Sequence, residues 1–157
     1  MSESVVDGIA AEFLHNANRG RRLVAVDGAE AGRAARFADA LAQAIAAASG
    51  DDVVRRSLGA VTEAELRSGT VEPFRAGEPV GTATPPGPDA VLVVDGQGLL
   101  DDAVRGIWHF SAWTLAGDEL PHTGANVIVD LSDEGAPSRY FYDYCAIPPS
   151  VNRPGLH

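Results

Sequence analysis

The stretch RRLVAVDGAEAGRAARFADALA, residues 21–42, carries three signals in succession. LVAVD (23–27) is a continuous apolar run of the kind that forms a strand buried on both faces. Gly28 and Gly32 then mark a turn, and the alanine-rich segment beyond it repeats its apolar residues at helical spacing. From 33 to 49 that helix places Phe37, Leu41, Ala44, Ile45 and Ala48 on one face, and Gly50 supplies its stop. A strand, a glycine turn and a helix in this order create a place where backbone amides can hold an anion. What the turn can hold depends on the side chains that accompany those amides.

Working outward, residues 5–16 form a helix with Val6, Ile9, Ala10, Phe13 and Leu14 on its buried face. VVRRSL (53–58) is a second strand. TEAELRSG (62–69) is a short helix, with Thr62 as N-cap, Glu65 three positions on and Gly69 as its end. Residues 70–89 are rich in proline and glycine and are expected to be irregular chain. AVLVVDG (90–96) is a buried strand, LLDDAVRGIW a short helix, and SAWTL and NVIVDL two further strands. Alternating strands and helices argue for a parallel sheet covered on both faces. The connection between the last two strands, AGDELPHTGA, is shorter than a usual parallel crossover. It is either an abbreviated crossover or a trimmed one.

The chain has 157 residues and a net charge of −10, which argues against a nucleic-acid-binding surface. Its 12 basic residues are all arginine, so any chemistry that needs a lysine on a phosphate is closed. No apolar run approaches the roughly 20 residues of a membrane helix. The acidic, amphipathic first 20 residues lack the pattern of a signal peptide, and a cytoplasmic location is expected. One cysteine, Cys145, leaves no disulfide framework and no cysteine-rich zinc site. The four histidines, His15, His109, His122 and His157, show no metal-ligand spacing.

Four segments match one pattern in order: the Asp-Gly end of the first strand with its turn and FADALA, then DAVLVVDGQGLL, then VRGIWHFSAWTL, then GANVIVDLSDEGAP. Together they resemble the P-loop nucleoside kinases, particularly bacterial uridine kinase-like proteins, over most of residues 21–137. The resemblance implies a three-layer α/β domain over 1–137, with a mainly parallel five-stranded sheet and helices on both faces. An aromatic C-terminal segment, 138–157, would pack on that domain or extend from it.

The phosphate loop of such kinases reads G-x-x-x-x-G-K-[ST], where the lysine reaches the outer phosphates and the hydroxyl holds magnesium. Aligned without a gap from Gly28, the second glycine becomes Arg33, the lysine Ala34 and the hydroxyl residue Ala35. Shifted by one, Gly32 is the second glycine and Arg33 replaces the lysine, but Ala34 offers magnesium nothing. Losing the lysine contact alone costs about 1.5–3 kcal/mol, or roughly one to two powers of ten in affinity. Arg19, Arg21 and Arg22 offer no substitute, since a strand of about five residues sets them about 16 Å away. The base that the resemblance implies after the second strand is replaced by Leu58 and Gly59, and the arginine-bearing lid between the last two strands is missing.

The residues that remain for a cofactor are Asp27, Gly28, Gly32, Arg33, Ala34 and Asp95, with no catalytic or metal-ligating residue among them. Asp27 and Asp95, each ending a strand before a glycine, are either the remnant of a magnesium or phosphate-water shell or turn residues. ATP or phosphate would bind weakly and magnesium has little to hold it. Three functions follow: a non-catalytic nucleotide- or phosphate-binding or regulatory protein, a weak nucleoside kinase using Arg33, or a scaffold. The aromatic residues Tyr140, Phe141, Tyr142 and Tyr144 either cover the domain as an edge strand or form a surface for a homodimer or protein partner.

Overall fold

The run of seven residues Arg22–Gly28 is buried along its whole length and forms β1 at the middle of the sheet. The fold is described from a computed structural model that covers residues 4–81 and 84–140. Around β1 stand α1 (Val5–Asn16), α2 (Ala31–Ser49), β2 (Val53–Ala60), β3 (Val91–Gln97), β4 (Phe110–Leu115), β5 (Val127–Asp130) and β6 (Ser138–Arg139). Between β2 and β3 runs a helical stretch made of α3 (Glu63–Leu66), a π-helical turn (Arg67–Val71) and α4 (Glu72–Arg75). The sheet order is β2-β3-β1-β4-β5-β6. β1 to β5 run parallel and β6 joins β5 antiparallel, so the described sheet is mixed and six-stranded rather than five-stranded.

Side chains alternate across a strand, so β1 feeds two cores. Val24 and Val26 pack under α1 and α2 with Ile9, Phe13, Phe37, Leu41 and Ile45. Leu23 and Ala25 face the other side, with Leu66, Val71, Phe74 and Leu99. Helical layers therefore cover both faces, as expected of a sheet of buried parallel strands. Among the described residues no helix is long and apolar enough to cross a membrane.

Local signals account for several boundaries. Thr62 and Glu65 form a reciprocal capping box, and Gly50 takes the left-handed conformation (φ 74°) that ends α2. Other expectations change. α2 begins two residues earlier than expected, at Ala31, because Glu30 serves as its N-cap. Ala48 is exposed, and the buried face runs instead through Ala34, Phe37, Ala38, Leu41, Ala42 and Ile45. Gly69 does not end a helix. The chain stays helical to Arg75 because Thr70, Val71 and Phe74 are buried against the sheet. Pro73 is tolerated at the start of α4, where its missing N–H falls next to the widened turn. The expected helix after β3 reduces to turns and one 3₁₀ turn (Arg105–Ile107). Residues 116–126 cross from β4 to the parallel β5 with no helix, which is the abbreviated form of crossover. Of the C-terminal segment, β6 lies in the sheet and the Tyr140 amide donates to the Ile128 carbonyl at 2.8 Å. The readings for Phe141, Tyr142, Tyr144 and the rest of 141–157 fall outside the described residues.

At the amino end of the sheet, Arg22 is only 1% exposed. Its guanidinium donates to the Gly20 carbonyl (2.9 Å), the Ala17 carbonyl (2.8 Å), the Asp89 carbonyl and the Asp51 carboxylate (2.8 Å). It also lies over the Phe13 ring, 5.9 Å from its centre. One side chain thus ties the end of α1, the α2–β2 connection and the entry to β3. A lysine has too few donors, and no planar fork, to meet all four acceptors. Arg22→Ala leaves the partly exposed Asp51 carboxylate and several carbonyls without their donor and empties a buried site, and is expected to lower the unfolding free energy by about 2–4 kcal/mol. Urea denaturation measures this, and a loss under about 1 kcal/mol would show the clasp to be dispensable.

Candidate functional site

In an open α/β sheet, ligands bind beyond the carboxyl ends of the strands, where neighbouring connections diverge. Here the chain leaves β1 toward β2 on one side, and leaves β4 toward β5 on the other. The crevice therefore opens where Asp27 and Gly28 meet their register partners, Trp113 and Thr114. All six residues expected to serve a cofactor lie at or near this end of the sheet, but the register separates them.

Gly28 ends β1 with an ordinary backbone conformation. Its lack of a side chain serves packing, because a Cβ there would lie 2.2 Å from the Thr114 hydroxyl. Only Ala29 and Glu30 separate β1 from α2. Gly32, Arg33 and Ala34 thus belong to the first turn of the helix rather than to a loop. The amide of Arg33 donates to Glu30 Oε2 at 2.5 Å, so a carboxylate already occupies the anion position of this helix end. The Arg33 guanidinium is bound in bidentate fashion to Glu119, at 2.7 and 2.9 Å. Glu119 also accepts from the Ala116 amide at 3.1 Å, which anchors the β4–β5 crossover to α2.

The two strand-terminal carboxylates do not converge. Val26, not Asp27, pairs with Asp95, so Asp27 and Asp95 project from opposite faces of the sheet. Asp95 faces α2, where it accepts from the Ser57 hydroxyl at 2.9 Å and lies 2.5 Å from Arg55 Nη2. The Arg55 contact is one of charge, since Asp95 Oδ1 accepts no aligned hydrogen bond among the described residues. Arg55 in turn pairs with Asp39 of α2. A buried carboxylate so neutralised is a strut between β3, β2 and α2. Asp27 instead accepts from the Gly28 amide (2.6 Å) and the Leu99 amide (3.1 Å) on the opposite face. Burial pushes its carboxyl above the ordinary value, and nearby Asp101 adds to the rise. The amides of Gly28, Leu99 and Gly98 pull the other way. Among the described residues no group of three His, Cys, Asp or Glu side chains is placed to hold a metal ion.

Beside Asp27 lies an open cavity of about 290 Å³, lined by Asp27, Gln97, Leu100, Asp101, Trp113 and His122, with the Gly28–Ala29 and Gly98 backbone at its rim. The Trp113 and His122 rings sit 5.3 Å apart and tilted by 43°. Both are fixed by the crossover: Trp113 Nε1 donates to the Leu120 carbonyl at 3.1 Å, and His122 Nδ1 accepts from the Gly124 amide at 3.0 Å. His109 is elsewhere, its Nδ1 accepting from the Leu23 amide at 3.0 Å. Sequence reasoning missed Glu30, Glu119, Arg55, Trp113 and His122. Only Glu30 carried a local signal, three residues before Arg33; the others meet their partners through the sheet register or the crossover.

Comparison with models of protein families, with curated proteins and with solved structures finds no match to this chain.

Because the Asp27 carboxyl is raised in the fold, its contribution to stability is complete below the ordinary carboxylate range and is lost as pH rises through its folded value. Asp27→Asn removes that titration. Its penalty relative to the parent chain is therefore expected to be larger at about pH 4 than at about pH 7, as read from urea unfolding at both. A penalty that grows with pH would show that the three amides outweigh burial.

Proposed function

We propose that this protein is a non-catalytic relative of uridine kinase-like P-loop proteins, a binding or regulatory protein whose own side chains fill the place of the nucleotide phosphates. The observation that carries the reading is the Glu30 carboxylate on the Arg33 amide at the start of α2. A phosphate brought to that helix end would meet a like charge where a kinase offers free amides. Arg33, which stands where the shifted alignment expects the lysine, is held by Glu119. Freeing it would break a charge-assisted bidentate contact, a further cost of about 1.5–3 kcal/mol. A weak kinase using Arg33 has no support in this geometry. The parallel strands β1 to β5, with β1 central and its carboxyl end opening at the divergence of the connections, support the kinase-like frame.

Thermal unfolding with ATP, with and without magnesium, tests the reading, together with a uridine phosphorylation assay. No rise in melting temperature and no turnover are expected. Magnesium-dependent stabilisation by ATP, or transfer of phosphate to uridine, would overturn it. Glu30→Ser keeps a neutral cap and removes the competing charge. This variant is expected to lose no more than about 1 kcal/mol of stability and to gain protection by phosphate that the parent chain lacks.

A further inference from the structure

We propose that the cavity beyond β1, β3 and β4 is a binding site for a small organic cation of the alkylammonium class. The proposal rests on the preceding reading in one respect, that the neighbouring helix end is closed to phosphate. Its volume, about 290 Å³, is at the lower end of the range for ligand pockets. At roughly 30 Å³ per water-sized group it holds about ten non-hydrogen atoms.

The chemistry of the walls selects the charge. Trp113 and Asp27 are register partners on adjacent parallel strands, so indole and carboxylate project from the same face of the sheet. The His122 ring leans on the indole and extends an aromatic wall, while Asp27 and Asp101 supply two carboxylates to the same space. Asp27 accepts the Gly28 amide on one oxygen and the Leu99 amide on the other, with the Gly98 amide also directed at it, so three amides leave room for one further donor at the carboxylate. Among the described residues no arginine lines the cavity. Arg33 is committed to Glu119, and Arg105 pairs with Asp102 at 3.2 Å. An anion entering here meets two carboxylates and, among the described residues, no arginine in the lining. An ammonium meets carboxylates and an indole, the pairing that recognises quaternary ammonium groups elsewhere. Both rings are already held by backbone hydrogen bonds, so little ordering cost falls on binding. The net charge of −10 adds long-range attraction for a cation.

The test is a titration of the full, nitrogen-15-labelled chain, following the indole N–H signal of Trp113. Three probes are compared: choline, its uncharged isostere 3,3-dimethylbutan-1-ol, and inorganic phosphate. Choline is expected to shift the signal saturably, and the isostere to bind at least about tenfold more weakly. Asp101 is exposed, so Asp101→Asn is expected to keep the fold and to weaken choline by at least about threefold. Trp113→Phe keeps an aromatic wall and is expected to retain binding that Trp113→Leu loses, with the Trp108 indole N–H as the reporter and the rest of the spectrum as the check on folding. No saturable response to choline, an equal response to the isostere, or phosphate binding in its place would each overturn the proposal. Failure of choline while ATP also fails to bind removes the cation site and leaves the non-catalytic reading standing. Binding of ATP removes that reading instead.

Discussion

The register of β1 against its two neighbours governs the arrangement of groups at the carboxyl end of the sheet. Pairing Val26 with Asp95 on one side and Asp27 with Trp113 on the other leaves no freedom about which groups share a face. A shift of one residue would turn Asp27 toward α2 and bring it to the face of Asp95, where two buried carboxylates would face each other. In the observed register each finds its own compensation: Asp95 a guanidinium and a hydroxyl, Asp27 a set of backbone amides. The same pairing sets the indole beside Asp27 and so builds the cavity.

Charge is handled locally throughout. A helix N-terminus favours an anion by about 0.3–1 kcal/mol, and here Glu30, within the chain, supplies it. The arrangement is self-sufficient: cap, arginine and crossover glutamate form a closed set around the start of α2. The same set fastens the crossover to α2. At the opposite end of the sheet Arg22 does equivalent work, buried and matched to four acceptors.

The shortened connection between β4 and β5 has a consequence for the site as well as the fold. With no helix to pack, residues 116–126 turn back over the strand ends. Glu119 fastens them to α2, while the Trp113 indole and His122 imidazole are held by carbonyl and amide groups of the same segment. A segment expected to be merely reduced therefore supplies one wall of the cavity.

The sequence by itself determined the α/β class, the central apolar strands, the capped start of α3 and the absence of lysine. These are local properties, set by runs of apolar residues, by glycine and by composition. It also showed that the glycine turn after β1 carries no lysine and no Ser or Thr, since that is a matter of which residue stands where. The tertiary structure alone decided which long-range partners hold Arg33 and Asp95. Glu119 lies 86 positions from Arg33, and Arg55 lies 40 from Asp95. No periodicity links such residues, because their meeting depends on strand order and register. It alone, too, separated Asp27 from Asp95, which look alike in sequence as Val-Asp-Gly and fall on opposite faces because β1 and β3 are paired one residue out of step.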